Sequence, residues 1–187
     1  MALAKPAGTW TYDDLFTLPD DDSRYEVIEG ELHEKPAPDS AHAFTIINLL
    51  MALYPVVAGL GGRVATARLD VFFAGANPVQ PDIVVLPAEG KAHIVRRGIE
   101  GPPDLLIEVL SPSNRVHDLL TKRFLYARGG IREYWLVDPD ARSIEILALD
   151  RDAYHQVAAL SGREPLQSPL PGPLGIVTDD LFPNIAP

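Results

Sequence analysis

The chain has 187 residues, of which 47% are apolar and 22% are charged, an ordinary composition for a globular protein with a buried core. It contains no cysteine, which excludes disulfides, thiolate metal sites and cysteine nucleophiles. The net charge of −10 argues against indiscriminate coating of nucleic acid, which needs a basic surface.

The N-terminal region predicts a short helix followed by a β-hairpin. Its first residues, "MALAKPAGTW", lack the apolar run of a secretory signal, so we expect a cytoplasmic protein. "TWTYDDLFTLP" at 9–19 predicts a short helix behind a threonine cap. "YEVIEGELHEK" at 25–35 has β-prone residues on both sides of Gly30, which predicts a bent strand or a tight hairpin.

A strongly apolar helix is predicted next, over 41–58. Ser40 or Asp39 is its expected cap, and we expect Pro55 to kink or end it. No stretch of the chain approaches the ~18 apolar residues of a membrane span, so we expect no membrane partner.

Strands dominate the middle of the chain. Two are predicted at 63–73 and 79–87, whereas the basic segment 88–103 is predicted to be irregular. "DLLIEVLS" at 104–111 is apolar on both faces, which is typical of a strand in the middle of a sheet.

One more helix and two strands are predicted before a proline-rich end. The helix covers 115–128 and closes at Gly129-Gly130, and the strands cover 132–138 and 142–149. We expect the strands on either side of this helix to be parallel, because a helix joins them. The residues at 161–187 include six prolines and show little periodicity, so we expect a proline-rich extension.

The order of these elements predicts the fold class. We expect a mixed α/β fold with a central mixed sheet flanked by helices and an added N-terminal β-hairpin. The length and the absence of a linker predict a single domain over 1–187, with its core at about 24–150.

Two carboxylates interrupt apolar strands and give the strongest indication of a functional site. Asp82 lies in "QPDIVVL" and Glu108 lies in "LLIEVL". An ionised carboxylate in a dry core costs several kcal/mol unless it is paired or binds a metal. If the two strands are neighbours, the carboxylates converge and repel each other, and a divalent cation such as Mg²⁺ removes that repulsion.

Lys122 is the candidate third member of this site. The helix at 115–128 places Asp118, Lys122 and Tyr126 on one stripe, at i, i+4 and i+8. Lys122 can then reach the carboxylates, orient or deprotonate a metal-bound water and neutralise phosphate charge. The structural alternative is that Glu108 and Lys122 form a buried ion pair and no more.

The order of these motifs resembles a known family. "PD", then "EVLSPS", then a helix with a lysine and then "REYWLVDP" is similar to the putative restriction endonuclease family of the PD-(D/E)XK nuclease superfamily. "RYEVIEGEL" and "PAPDSAH" also match that family's pattern. The resemblance covers roughly residues 10–150 and implies a restriction-endonuclease-like core of α-β-β-β-α-β topology.

The resemblance also implies a reaction and its residues. It implies Asp82 and Glu108 as metal ligands and phosphodiester hydrolysis as the reaction, and we expect the backbone carbonyl of Val109 as an extra ligand. The superfamily's simplest pattern places the lysine two residues after the second acid, where this chain has Leu110. The resemblance therefore implies that the lysine has moved to the helix, as Lys122.

Several polar residues are candidates for a supporting role around the metal. His42 begins the long apolar helix, where a lone histidine is more often structural, and Gln80 precedes the first acid by two positions on the same strand face. The full set of candidates is Glu26, Glu31, His42, Gln80, Asp118 and Tyr126.

We therefore expect an endonuclease that uses Mg²⁺ or Mn²⁺. Its expected substrate is nucleic acid, with DNA as the first candidate, and we expect it to form a homodimer. The alternative is a module that keeps the nuclease fold, cuts weakly or not at all, and binds nucleic acid or protein. The acidic composition favours this alternative, because a free-acting nuclease usually attracts its polyanionic substrate. A third reading, a carboxylate pair acting on a sugar bond, predicts activity without metal.

Overall fold

The computed structural model describes residues 5–19, 24–35, 38–66, 69–73, 77–111 and 117–185. The helices are α1 (Ser40–Gly59) and α2 (Arg123–Gly129), with 3₁₀ helices at Tyr12–Thr17 and Thr178–Leu181 and a π-helical segment at His117–Lys122. The strands are β1 (Arg24–Ile28), β2 (Glu31–Lys35), β3 (Arg63–Thr66), β4 (Val71–Phe72), β5 (Ile83–Leu86), β6 (His93–Val95), β7 (Gly98–Glu100), β8 (Leu105–Val109), β9 (Glu133–Asp138), β10 (Ser143–Asp150), β11 (Ala153–Ser161), β12 (Pro165–Ser168) and β13 (Gly172–Val177).

A six-stranded mixed sheet lies at the centre of the fold, in the strand order β11-β10-β9-β8-β5-β3. β5 is antiparallel to both β3 and β8, whereas β8 and β9 are parallel, as expected for two strands joined by a helix. Together with α1 and α2, the strands β3, β5, β8 and β9 give the expected α-β-β-β-α-β order. The predicted fold class is therefore confirmed.

The central strands are apolar because both faces of the sheet are covered. Every residue of β5, β8 and β9 is buried. On one face Leu49 and Leu53 of α1 pack in a core that contains Ile107, and on the other face Tyr126 of α2 packs in a core that contains Leu106. Since strand side chains alternate between faces, Glu108 lies on the α2 face together with Leu106.

The N-terminal hairpin predicted around Gly30 is present as β1 and β2. Ile28 pairs with Glu31, so Glu29 and Gly30 form a two-residue turn, and both have a positive φ, 51° and 79°. A positive φ at both central residues is the requirement of a type I′ hairpin turn, which glycine meets without strain.

α1 runs over twenty residues and continues through Pro55, so the expectation that this proline kinks or ends the helix is wrong. Asp39 is the cap, and its carboxylate accepts a hydrogen bond from the amide of His42 at 2.8 Å. Pro55 removes one intrahelical hydrogen bond. Buried Leu53 and Val57 lie on either side of the proline and hold this part of the helix against the sheet.

α1 also corrects the expectation about apolar length. It is the one helix among the described residues that is long and apolar enough to cross a membrane, by length and composition only, and a third of that window is buried inside the protein. The core helix of a soluble protein meets the same criterion.

Two predictions in the middle of the chain, the strand at 63–73 and the irregular segment at 88–103, are wrong because both segments contribute to a second, smaller sheet. The strand expected at 63–73 is divided: Thr66 pairs with Ile83 in the main sheet, whereas Val71 pairs with Ile99 in a separate three-stranded sheet. The segment 88–103, expected to be irregular, supplies the other two strands of that small sheet, β6 and β7.

The strand expected at 79–87 is shorter than predicted. It begins only at Ile83, so Asp82 lies just before β5 and not inside it. Pro81 precedes the strand and has no N–H to donate to a sheet ladder.

The C-terminal region is more ordered than the sequence indicates. β11 follows β10 as a hairpin partner, and the predicted proline-rich extension forms β12, β13 and a 3₁₀ helix. Leu166, Leu174 and Phe182 of this region are buried in the core on the α1 face. The structural core therefore extends well beyond the predicted limit at about residue 150.

The second predicted helix is only partly α-helical, and its predicted start at residue 115 lies outside the described part of the chain. Residues 112–116 lie outside the described part of the chain, and from His117 to Lys122 the chain forms a π-helical segment that leads directly into α2. The predicted end is confirmed, because Gly130 caps α2 in the left-handed conformation, with φ 77°.

Candidate active site

Asp82 and Glu108 meet at one end of two neighbouring strands. Ile83 of β5 is opposite Ile107 of β8 in an antiparallel pair, so Asp82, just before β5, and Glu108 lie at the same end of this pair of strands. The sequence prediction that both carboxylates converge at one position of the sheet depends on this adjacency of β5 and β8, which the structure has.

Asp82 is held where the β5 ladder has ended. Its Oδ2 accepts a hydrogen bond from the amide of Val109 at 2.8 Å, and its backbone carbonyl accepts one from Thr66 Oγ1 at 2.8 Å. The carboxylate thus replaces the strand partner that the Val109 amide lacks once β5 has ended. These bonds fix Asp82 beside the end of β8.

His42 reaches the same carboxylate from α1. Its Nε2 lies 3.6 Å from Asp82 Oδ1, while its Nδ1 is buried without a hydrogen-bond partner in the described part of the chain. The Asp39 cap at the start of α1 holds the backbone of His42 in place. This histidine therefore belongs to the cluster and is not simply a polar residue at a helix end.

Glu108 is bonded by two side chains from the helical region that follows β8. Lys122 Nζ and the Tyr126 hydroxyl each donate to Glu108 Oε1 at 2.7 Å. Glu108 is 1% exposed and Lys122 is fully buried. The predicted i, i+4 arrangement of Lys122 and Tyr126 is confirmed, since both contact the same oxygen.

Lys122 lies at the junction between the π-helical segment and α2. A π-helical turn is rare and is often found at functional sites, because the wider turn changes the direction of the side chains around it. The lysine at this junction reaches Glu108 on β8, whereas the position two residues after Glu108 carries Leu110, which has no charge.

Burial keeps Tyr126 protonated. It raises the pKa of the Tyr126 hydroxyl well above its ordinary value, and the nearby Glu108 carboxylate raises it further. The ring packs edge-on against Tyr134, with the ring centres 5.0 Å apart. A protonated and immobile Tyr126 acts as a fixed hydrogen-bond donor to Glu108.

Glu26 is more central than the sequence indicates. It lies on β1, is 2% exposed, and its Oε2 is 3.6 Å from Lys122 Nζ. Its Oε1 accepts a hydrogen bond from the amide of Gln80 at 2.7 Å. Lys122 therefore lies between two buried carboxylates, Glu26 and Glu108.

Two further residues extend this cluster and were missed from the sequence. The side-chain amide of Gln80 donates to Asp70 Oδ1 at 2.8 Å, and the Tyr12 hydroxyl donates to Asp70 Oδ2 at 2.5 Å. Burial and the hydrogen bond to Asp70 raise the pKa of Tyr12 to about 12. Asp70 lies between apolar residues in "RLDVFF", the same signal that marked Asp82.

Two candidates are not brought into the cluster. Glu31 is exposed on β2, with its nearest ionic neighbour, His33, at 4.0 Å. Asp118 lies in the π-helical segment, and its side chain falls outside the described part of the structure.

A second buried glutamate provides an internal contrast. Glu133 lies at the first position of β9, paired with Leu105 at the opposite end of β8 from Glu108. It accepts hydrogen bonds from Trp135 Nε1 at 2.6 Å and from the amide of Leu170 at 3.0 Å. Burial raises its pKa above the ordinary value, although these hydrogen bonds lower it.

The donor set restricts what kind of metal the cluster could hold. In the ranges that the structure describes, no three or more His, Cys, Asp or Glu side chains are grouped so as to hold a metal ion. A closed protein cage of the zinc type is therefore absent from these ranges. Two carboxylates at adjacent strand ends match the sparser protein ligation of Mg²⁺, which keeps several waters.

The chain was compared with known proteins. No curated protein matches its sequence significantly. Among solved structures, the crystal structure of a putative nuclease belonging to DUF820 from Anabaena variabilis ATCC 29413 has a TM-score of 0.72 and 22% sequence identity, covering 92% of this chain and 97% of that chain. At this identity the likeness shows a shared fold.

The family comparison covers most of the sequence and agrees with the resemblance carried by the motifs around Asp82 and Glu108. The Uma2 family, described as "Putative restriction endonuclease", matches residues 12–179. This range includes all the residues of the cluster, from Tyr12 to Tyr126. The protein therefore belongs to the Uma2 family.

Proposed function

We propose that the protein is an endonuclease that uses Mg²⁺ or Mn²⁺ to hydrolyse phosphodiester bonds in nucleic acid, with DNA as the first candidate substrate. The observation that carries this proposal is that Asp82, bonded to the amide of Val109, and Glu108, with Lys122 Nζ at 2.7 Å, lie at the same end of two neighbouring strands. Family membership supports the same reaction class.

The charge of the cluster supports a cation. When ionised, Asp82, Glu108 and Glu26 carry three negative charges, and Lys122 carries one positive charge. An excess of negative charge in a largely buried place is unfavourable without a counter-ion. Asp82 and Glu108 are the residues that would hold it, and the Val109 carbonyl is a third candidate.

The Val109 carbonyl is a reasonable candidate because of the strand geometry. In a strand, the N–H and C=O of one residue point to the same side. The Val109 N–H points to Asp82, at 2.8 Å from Oδ2. The carbonyl of Val109 therefore faces the edge at which Asp82 lies.

A bound metal would lower the pKa of a coordinated water and stabilise the charge that develops on the phosphate. The side chains of this chain have separate tasks. Lys122 Nζ offers protons for hydrogen bonds to the attacking water or to a phosphate oxygen. Tyr126, which stays protonated, keeps Glu108 in one orientation through the 2.7 Å bond to Oε1.

Three neighbours position these groups. Glu26 Oε2 lies 3.6 Å from Lys122 Nζ, and this second carboxylate limits where the ammonium can move. Gln80 fixes Glu26 through its backbone amide. His42 Nε2, 3.6 Å from Asp82 Oδ1, is placed to contact a phosphate oxygen that approaches this carboxylate.

The proposal is tested by incubating the purified protein with closed circular DNA, linear duplex DNA, single-stranded DNA and RNA, each with Mg²⁺, with Mn²⁺ or with a chelator. We expect metal-dependent nicking of closed circular DNA, which identifies an endonuclease. The variant Asp82→Ala/Glu108→Ala should lose the activity, and Glu133→Gln, which changes a buried glutamate outside the cluster, should keep it.

Activity that survives in the Asp82→Ala/Glu108→Ala variant would overturn the mechanism. The alternative is an inactive module with the same fold, which the net charge of −10 favours. Calorimetry with Mg²⁺ and Mn²⁺ distinguishes this alternative from a metal-dependent nuclease. A chain that binds neither Mg²⁺ nor Mn²⁺ at millimolar concentration and cuts none of the four substrates would be such a module.

A further inference from the structure

The outer face of α1 carries an exposed apolar stripe. Its four central side chains are exposed by 53% at Phe44, 51% at Ile47, 73% at Met51 and 65% at Tyr54. These positions follow each other at spacings of three, four and three residues. In an α-helix that spacing places all of them on one face, opposite the buried Leu49, Leu53 and Val57.

The composition of α1 is unusual for a helix at a protein surface. Residues 40–59 contain no Asp, Glu, Lys or Arg, although a surface helix typically carries charged residues on its outer face. Apolar residues at alternating spacings of three and four positions are the pattern by which one helix packs along another. The stripe therefore has the form of a helix-packing surface without its partner helix.

The absence of cations decides between classes of partner. A helix that lies on a membrane surface typically has Lys or Arg on its polar face, and a nucleic-acid surface needs cations for phosphate. α1 offers neither. A second copy of α1, related by a two-fold axis, presents the same uncharged apolar stripe, so the two stripes can meet without placing a charge against an apolar side chain.

We propose that α1 is the interface of a homodimer, in which the stripe of Phe44, Ile47, Met51 and Tyr54 packs against the same stripe of a second copy about a two-fold axis. The two copies each carry a net charge of −10 and repel each other over most of their surface. At the uncharged face of α1, two copies meet with little repulsion.

The area of the stripe is sufficient for such an interface. Each of the four side chains leaves on the order of 100 Å² exposed, given the size of large apolar side chains. With the small exposed residues beside them, such as Ala43, Pro55 and Ala58, two copies bring together roughly 1,000 Å², the lower limit for a specific interface. The proposal concerns assembly and does not depend on nuclease activity.

The first test is the mass of the protein in solution, measured by light scattering after gel filtration. We expect the wild-type chain to have twice the mass of one 20.4 kDa chain, and Met51→Glu to have the mass of one chain. The matched control is Leu120→Glu, which changes a side chain that is 69% exposed on another helical segment and should leave the dimer intact.

The second test keeps the protein free of charge changes. Because the chain has no cysteine, single substitutions Ile47→Cys, Met51→Cys and Tyr54→Cys report proximity directly. A two-fold axis brings the same residue of both chains together, so a cysteine near the axis forms a disulfide with the identical cysteine of the second chain under mild oxidation. We expect at least one of the three variants to do so. Leu120→Cys, the control, should stay a monomer on a non-reducing gel.

Two results would overturn the proposal. One is a wild-type chain that remains a monomer up to about 100 μM, with no disulfide at any of the three α1 positions. The other is a monomer that sediments with neutral lipid vesicles and loses this binding in Met51→Glu, since that result would assign the stripe to a membrane.

Discussion

Glu108 and Glu133 are both 1% exposed and lie at opposite ends of the parallel pair β8–β9. Glu108 has Lys122 at 2.7 Å, and Asp82, just before the neighbouring strand β5, accepts a hydrogen bond from the amide of Val109, the next residue after Glu108. Glu133 is bonded by the indole of Trp135 and by a backbone amide of the chain leading into β13. The two carboxylates are equally buried, but their surroundings differ in kind.

The difference shows what distinguishes a candidate site from a structural contact. Neutral N–H donors can satisfy the hydrogen bonds of a buried carboxylate, and at Glu133 they tie the C-terminal hairpin to the sheet. A buried carboxylate does not need a second carboxylate and a buried lysine to satisfy its hydrogen bonds. Buried ion pairs also add little to the stability of a fold by themselves. Their presence around Glu108 therefore indicates chemistry and not only folding.

The largest expected effect that separates the two glutamates is on activity. Glu108→Gln should lower the rate of DNA cleavage by at least about 10²-fold, because it removes a carboxylate that would hold the metal while the shape of the side chain is kept. Glu133→Gln should leave the rate within experimental error. The measurement is the initial rate of nicking of closed circular DNA under saturating Mg²⁺, with circular dichroism to confirm that both variants fold.

Equal losses in the two variants would mean that Glu108 acts through the fold and not in the reaction. A loss in Glu133→Gln alone would place the reaction at the other end of the sheet.

The next effect concerns stability. Lys122→Met should lower the free energy of unfolding by about 3–5 kcal/mol, because Glu26 and Glu108 are then buried without their cation. The double variant Lys122→Met/Glu108→Gln should recover part of this loss, since one of the uncompensated charges is also removed. Glu133→Gln replaces one of the two acceptor oxygens with an NH2 group, leaves no buried charge uncompensated and should cost less, about 1–3 kcal/mol.

Chemical denaturation by urea measures all three variants. If the double variant is no more stable than Lys122→Met, the lysine does not compensate the charge of Glu108, and the contrast with Glu133 loses its electrostatic basis.

The smallest effect is a dependence of stability on pH. Burial raises the pKa of folded Glu133 above its ordinary value of 4.5. The folded state then binds the proton more tightly than the unfolded chain, so this contribution to stability is fully present below about pH 4.5 and is lost as the pH rises through the folded pKa. The free energy of unfolding of the wild type, relative to Glu133→Gln, should therefore fall as the pH rises.

Urea denaturation of both chains from about pH 4 to about pH 8 checks this direction. A difference that grows with pH would show that the hydrogen bonds from Trp135 and Leu170 outweigh burial, so that the charged form is the favoured one.

Much of the fold followed from local patterns. The apolar run at β8, the helix after it and the strand β9 were predicted with their parallel pairing, because a helix between two strands of one sheet requires a crossover. The small sheet of β4, β6 and β7 was not predicted, since its strands are two or three residues long and are defined by partners distant in the sequence.

The same distinction applies to the site. Asp82 and Glu108 were predicted because a carboxylate next to apolar strand residues is visible in the sequence alone. Tyr12 and Asp70 were missed, although Asp70 carries the same signal, because their connection to Glu26 through Gln80 joins residues 10 to 58 positions apart. The central place of Glu26 depends on how the hairpin packs against Lys122, which no local pattern shows.

The sequence by itself determined the types of chemistry available: no thiols, two acids embedded in apolar segments, one lysine on the following helix and an uncharged helix α1. The tertiary structure decided which of these groups meet, and which face of α1 is buried. Apolar residues lie on all sides of that helix. Its long apolar span therefore predicts a helix, but the sequence cannot show which face is buried. Only its packing on the sheet shows that Leu49 and Leu53 lie inside and that Met51 lies outside.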